Sequence, residues 1–471
     1  MAPLLARAGF AALLLAVLAP LPVAGEDAWR LPAALAAAAL ALAAAPPGAP
    51  APTFLAAAAF LGLQALSLAW ARDPAEGFAP ALATACGLAA FAAARSVPGA
   101  ADDVRRLLPA VALALAVLVV VQRSRDVPPV AAFGNSNYAG AVAAFLLPAM
   151  IGHRGTETRR RDLKKRNLLS ASVSLWPILG AAGALVLLAA SGSRGGLLGA
   201  VAGLSVFAVL HRPWRGRLLA AAAALLLLPL AAPQRHLGRE RLSTPVVRLE
   251  VWKASLGLLA RHPQGVGAGQ FGAEFPPVRT EREAILSQTH AGKEIREVED
   301  AHSSPLQVGV ETGVLGAIVW AAAVVLAFAR GRRRAWSGDA RAAGLWAGMA
   351  GGAVAGLFNA LPVLPAPVVL FGAFAGLLDP SDSPRGPAWP WRAGAAALAV
   401  AALAFLPFAR AQRALDHDDP VGALAARPEW WRAHYHAGVE QARAGRPAVA
   451  AEHYRRALER RPFHAAALNN L

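Results

Sequence analysis

The strongest constraint on this chain is a succession of apolar stretches, almost empty of charge, that repeats nearly from end to end. A helix that crosses a bilayer needs roughly 20 mostly apolar residues. Thirteen windows qualify: 8–24, 31–45, 53–70, 78–94, 107–121, 134–151, 172–190, 195–210, 218–232, 305–329, 342–360, 363–378 and 393–409. Many are rich in Ala rather than Leu, and several are short. Internal Pro and Gly do not refute them, because packed neighbours and water satisfy the freed backbone groups. The pattern predicts an all-α polytopic membrane protein of about 12–13 transmembrane helices. The first window has a second reading. Arg7, an apolar run and then Leu21-Pro22-Val23-Ala24-Gly25 also fit a secretory signal. Two stretches are too polar to span. Residues 233–304 form a large loop, and 411–471 form a tail behind a membrane domain of residues 1–410.

Only 16% of the 471 residues are charged, which argues against an ordinary soluble enzyme. The net charge of +17 would suggest nucleic acid in a soluble protein. Its distribution says otherwise. With the N-terminus inside, the inner segments carry 21 Lys and Arg, seven of them in 154–166. The short outer loops carry five: Arg30, Arg72, Arg123, Arg125 and Arg194. That asymmetry is the positive-inside pattern, so the excess is topogenic and no nucleic-acid partner is expected. It puts the 233–304 loop and the tail of a multi-pass chain on the outer side of the membrane. Cys86 is the one cysteine, so no internal disulfide forms. His236, His262, His290 and His302 lack metal-ligand spacing, and no metal or cofactor is expected. The windows also lack the mid-bilayer carboxylates and lysines of an ion-coupled carrier.

In the tail, Ala423-Leu424 with Pro428 recurs 34 residues later as Ala457-Leu458 with Pro462, and Gly438, Gly445, Ala450 and Tyr454 lie between. This resembles the tetratricopeptide repeat, of which about one and a half copies are visible. A truncated array implies a protein partner; the plainer alternative is an amphipathic hairpin resting on the membrane domain.

Four polar segments gather at the outer ends of helices. Phe133-Gly134-Asn135-Ser136-Asn137-Tyr138 opens the sixth window, where Asn also suits helix capping. Ser191-Gly192-Ser193-Arg194-Gly195-Gly196 sets an Arg at a helix start, where a guanidinium and free N–H groups suit phosphate. Arg248 and Trp252 share a helix face at i, i+4, ahead of His262-Pro263-Gln264-Gly265-Val266-Gly267. Asp300-Ala301-His302-Ser303 then leads through Gln307 to Glu311-Thr312-Gly313.

In this order, with a large late loop, the segments resemble the O-antigen ligase superfamily over roughly residues 53–378. That family includes lipopolysaccharide ligases, related polysaccharide polymerases and protein O-oligosaccharyltransferases. The resemblance implies a GT-C-like glycosyltransferase architecture without cofactor. It implies metal-independent transfer of an undecaprenyl-diphosphate-linked glycan onto a glycan, lipid A-core or protein acceptor, among membrane lipids. Arg194 and Arg248 match the family's arginines and His302 its essential histidine. Asn135, Tyr138 and Trp252 join the two arginines as candidate donor-binding residues. Ser303 departs from the Asn the family commonly has, which leaves acceptor and subfamily open. The alternatives are a non-catalytic polysaccharide export scaffold and, further off, a solute or lipid carrier.

Overall fold

A computed structural model of the chain describes residues 2–18, 29–44, 49–125, 133, 135–153, 168–231, 245–287, 297–379 and 389–471. The basic segment 154–166, the start of the 233–304 loop with His236, and Gly134, His290 and Arg385 lie outside the described residues. The described residues contain no strand. Among the described residues nine helices precede the loop: α1 (Ala2–Leu18), α2 (Arg30–Ala44), α3 (Pro52–Ser67), α4 (Pro74–Ser96), α5 (Ala100–Ser124), α6 (Ser136–His153), α7 (Leu168–Ser191), α8 (Arg194–Leu210) and α9 (Arg215–Ala231). The loop carries α10 (Pro245–Arg261), α11 (Phe271–Glu274) and α12 (Glu281–Leu286). Then follow α13 (Ser304–Ala335), α14 (Ala340–Gly356), α15 (Pro365–Leu378) and α16 (Trp389–Ala404). The tail comprises α17 (Leu406–Asp416), α18 (Pro420–Ala426), α19 (Trp431–Arg443), α20 (Pro447–Arg460) and α21 (Ala465–Asn470).

Each of the thirteen windows falls on a helix, and the protein is an all-α polytopic membrane protein. Among the described residues four helical stretches are long and apolar enough to cross a membrane: α4, α5, α13 and the run from Trp389 to Asp416. Other apolar helices are shorter. Helices in lipid gain little from hydrophobic burial against one another, so close van der Waals packing must join them. Small residues provide it here. A Cβ on Gly196 of α8 would lie 2.5 Å from the backbone carbon of Gly140 in α6.

Two ends of the bundle differ in chemistry. At the end away from the loop, buried ion pairs tie helices together. Asp379, after α15, faces Arg95 of α4 at 3.2 Å and Arg330 of α13 at 2.5 Å. Arg7 of α1 meets Asp103 of α5 at 2.5 Å.

At the loop end, two glycine-bearing motifs interlock. Gly313 lies inside α13 with φ 75° and ψ −178°, which breaks the helix there. The carbonyls freed by such a break need donors. The turn after α10 supplies them: Val266 N–H donates to Val310 O and Gly267 N–H to Glu311 O, both at 2.9 Å. Val314 N–H returns a bond to Pro263 O at 3.0 Å. A Cβ on Gly313 would lie 2.4 Å from the Gln264 carbonyl carbon, so a side chain there would drive the turn away. The same turn is held to the bundle by Trp70 Nε1, which donates to Gly265 O, and by Ser67 Oγ, which accepts from Ala268 N–H.

The tail is a set of short helices. The ring of Tyr454 in α20 lies against Gly438 of α19, where a Cβ would come within 2.6 Å of it. Residue 410 falls within α17, so the helix itself joins membrane domain to tail.

Candidate functional site

The site is built around residues 300–302. His302 adopts φ 49°, a left-handed backbone that a non-glycine residue rarely takes. That turn folds His302 back on Asp300. The His302 N–H donates to Asp300 Oδ1 at 2.7 Å, and its Nδ1 lies 2.8 Å from the same oxygen. An Nδ1–H held by a carboxylate sets the tautomer that leaves Nε2 as the proton acceptor. The other carboxylate oxygen accepts a 3.0 Å bond from Tyr138 Oη of α6. Burial pushes the Asp300 carboxyl up, but the His302 charge and the hydrogen bonds from His302 and Tyr138 outweigh it. The group is held below the usual carboxylate range.

Three further contacts hold this segment. Trp252 Nε1 of α10 donates to Ala301 O at 3.1 Å. Ala301 N–H donates to Gln307 Oε1 at 2.8 Å. Ser304, at the start of α13, donates to Asn359 O and accepts from Leu361 N–H in the α14–α15 turn. Gln307 also donates to Glu311, whose buried carboxylate takes the backbone N–H groups of Gly269 and Phe271. Glu311 is thereby a structural link between turn and helix.

The two candidate arginines come from separate helices. Arg194 is the first residue of α8, exposed, at the positive end of that helix. Its neighbour Ser193 caps the helix by accepting from Gly196 N–H at 3.0 Å. Arg248 of α10 is half-buried one turn before Trp252. Burial pushes its guanidinium down from the ordinary value; Asp300 opposes this and the nearby Arg194 charge adds to it. Among the described residues neither Arg194 nor Arg248 forms a salt bridge. The two guanidiniums lie close enough for their charges to interact, and Asp300 is already hydrogen-bonded to Tyr138 and His302.

Below the centre an apolar cavity of about 310 Å³ opens between α3, α4, α13, α14 and α15. Ser304 and Pro305 line it next to the site, and Phe60, Phe91, Trp320 and Phe371 line it further along.

The structure brings together Arg194, Arg248, Trp252 and His302, and Tyr138 joins them through Asp300. Asn135 sits beside the group but uses its side-chain oxygen to cap α6, accepting from Asn137 N–H at 2.8 Å. Trp252 acts on the segment through its indole N–H as well as its ring. Sequence reasoning gave no role to Asp300, Ser304 or Asn359. The signal for Asp300 was available, since an Asp two residues before a His is an Asx-turn candidate. Among the described residues, no three His, Cys, Asp or Glu side chains group as metal ligands.

Residues 179–321 match the family model for O-antigen ligase. The matched segment runs from within α7 to within α13 and holds Arg194, Arg248, Trp252, Asp300 and His302. Tyr138 and the tail lie outside it. The match supports the O-antigen ligase superfamily and a membrane enzyme of the ligase or glycosyltransferase kind. No curated protein matches the chain.

Proposed function

We propose that the protein transfers a glycan from an undecaprenyl-diphosphate carrier to an acceptor hydroxyl at the outer face of the bacterial inner membrane, without a metal. The observation that carries this reading is the His302–Asp300 pair with Arg248 and Arg194 nearby, neither of which forms a salt bridge among the described residues. The acceptor hydroxyl gives its proton to His302 Nε2, and its oxygen attacks the anomeric carbon from the face opposite the carrier. The bond from that carbon to the diphosphate oxygen breaks. The charge that develops on the leaving diphosphate falls to Arg194 and Arg248, whose planar forks suit it. Asp300 stabilises the imidazolium, and Tyr138 and Trp252 hold Asp300 and Ala301 in place. The apolar cavity that begins at Ser304 suits the prenyl chain of the carrier. The positive-inside asymmetry supports the orientation. The 34-residue recurrence supports a tetratricopeptide-like tail.

The test uses carrier-linked glycan extracted from a strain that lacks the protein, where the donor accumulates. Purified protein and the same strain's envelope fraction complete the reaction. Wild-type protein transfers glycan with EDTA present, and monodisperse His302→Ala protein does not. Near-wild-type transfer by well-folded His302→Ala protein contradicts the reading.

A further inference from the structure

The tail ends on the segment that carries the site. Residues 297–299 run straight into Asp300, and their two carboxylates point at the tail rather than at the site. Arg461, just after α20, places Nη2 3.0 and 2.9 Å from the two carboxylate oxygens of Glu299 and 3.4 Å from Glu297. Its side chain is 8% exposed, and its guanidinium stacks 4.6 Å from the centre of the Trp431 ring. Ala465 N–H, at the start of α21, donates to Glu297 Oε1 at 3.0 Å. α11 passes beneath the pair with Gly272, where a Cβ would come within 2.8 Å of both Arg461 and Glu299.

A second contact fixes the other side of the tail. Trp430 Nε1 donates to Glu76 Oε1 at 3.0 Å, at the start of α4. Arg427 stacks on Phe408 and Trp430. The tail therefore bridges α4, which is part of the bundle, and the segment that leads into His302.

His302 needs such a bridge. Its left-handed backbone is strained, and a strained residue persists only where its surroundings over-determine it. From the far side Trp252, Gln307 and Tyr138 hold residues 300 and 301. From the near side the chain is held by Glu297 and Glu299 in the tail's grip.

We propose that the tail is an intramolecular brace for the transfer site, with Arg461 as a positioning residue that acts on Asp300 and His302 through Glu299 and Glu297. The inference rests on the reading of His302 as the proton acceptor. Misplacing a reacting group by about 1 Å costs up to about 10²-fold in rate. A brace acts on the geometry of the chemical step and not on donor binding, so its loss lowers kcat and leaves the donor KM alone. All three carboxylate contacts of Arg461 pass through one nitrogen, so an ammonium can replace it.

The experiment measures initial rates of the full-length protein across a range of extracted carrier-linked glycan. Arg461→Ala is expected to lower kcat about 10-fold with donor KM within about twofold of wild type. Arg461→Lys is expected to recover most of the loss, and Arg455→Ala, on an exposed face of α20, to match wild type. Should Arg461→Ala protein not fold, Glu299→Gln, which leaves the Trp431 stack in place, is expected to lower kcat about threefold. Wild-type kcat in Arg461→Ala, with His302→Ala inactive, overturns the brace and leaves the transfer reading standing. Active His302→Ala protein overturns the transfer reading itself. A kcat loss that Lys does not recover, accompanied by a lowered melting temperature, assigns Arg461 a structural role and overturns the positioning claim.

Discussion

The two ends of the helical bundle both gather arginines around an aspartate, and they use them in opposite ways. At the end away from the loop, Asp379 is shared by Arg95 and Arg330, with its side chain 1% exposed. Both guanidiniums there contact the same carboxylate, and the cluster ties α4, α13 and α15 together. At the loop end Asp300 is taken by His302 and Tyr138. Arg194 and Arg248 lie near one another there, and among the described residues neither forms a salt bridge. Leaving cations unpaired sacrifices stability, since like charges repel and burial disfavours them. The arrangement makes physical sense when a polyanion supplies the missing charge.

The sharpest break of this comparison is at the histidine. Removing a general base slows a reaction by about 10²–10⁴-fold, so His302→Ala should be nearly inactive and normally folded. Transfer from extracted donor, with monodispersity in detergent as the folding check, measures both. Next comes the opposite end. Removing one partner of a buried ion pair destabilises by about 3–5 kcal/mol, because the remaining charge is left uncompensated. Asp379→Ala should therefore lower the melting temperature or yield, while transfer per folded molecule stays at wild type. Third are the open cations. Loss of one donor to a developing oxyanion slows turnover about 10²–10³-fold. Arg248→Lys keeps the charge but loses the planar fork, so it should be impaired while its melting temperature holds or rises.

The smallest effect concerns the tail at acid pH. Burial pushes His434, His453 and His464 down from their ordinary value. The unfolded tail then binds protons that the folded tail refuses, so stability rises with pH. Their contribution is complete above the ordinary histidine value of about 6.5 and is lost as pH falls below it. His434 and His453 add to this, with their Nδ1 atoms 3.1 Å apart, since double protonation would break that contact. Hydrogen exchange in residues 431–464 should quicken at pH 5 relative to pH 7.5, with α4 and α13 unchanged.

The membrane helices were legible because apolar length is a one-dimensional signal. The order of Arg194, Arg248 and His302 was legible because each sits in its own short polar island between apolar runs. The role of Asp300 was not. It depends on one left-handed residue, His302, folding its ring back by two positions. The interlock of the 263–267 turn with the break at Gly313 runs through backbone atoms, so it leaves only glycines as a trace. The ion cluster at Asp379 joins residues nearly 300 positions apart, and nothing in the sequence pairs Arg95 with it. The tail's recurrence could be read from small residues, but its grip on Glu299 rests on Arg461, one arginine among many nearby.

The most direct test makes one change at both ends of the bundle. Asp→Asn keeps the shape and one acceptor oxygen, removes the charge and turns the second oxygen into an NH₂ donor. In Asp300→Asn protein the account expects wild-type folding and transfer reduced at least about 10²-fold, because His302 loses the carboxylate that sets its tautomer and stabilises its charged form. In Asp379→Asn protein it expects a lowered melting temperature and wild-type transfer per folded molecule. Measured side by side, an active Asp300→Asn protein, or equal stability losses at both positions with no loss of transfer at either, would contradict the claim that the open charge at the loop end does the chemistry.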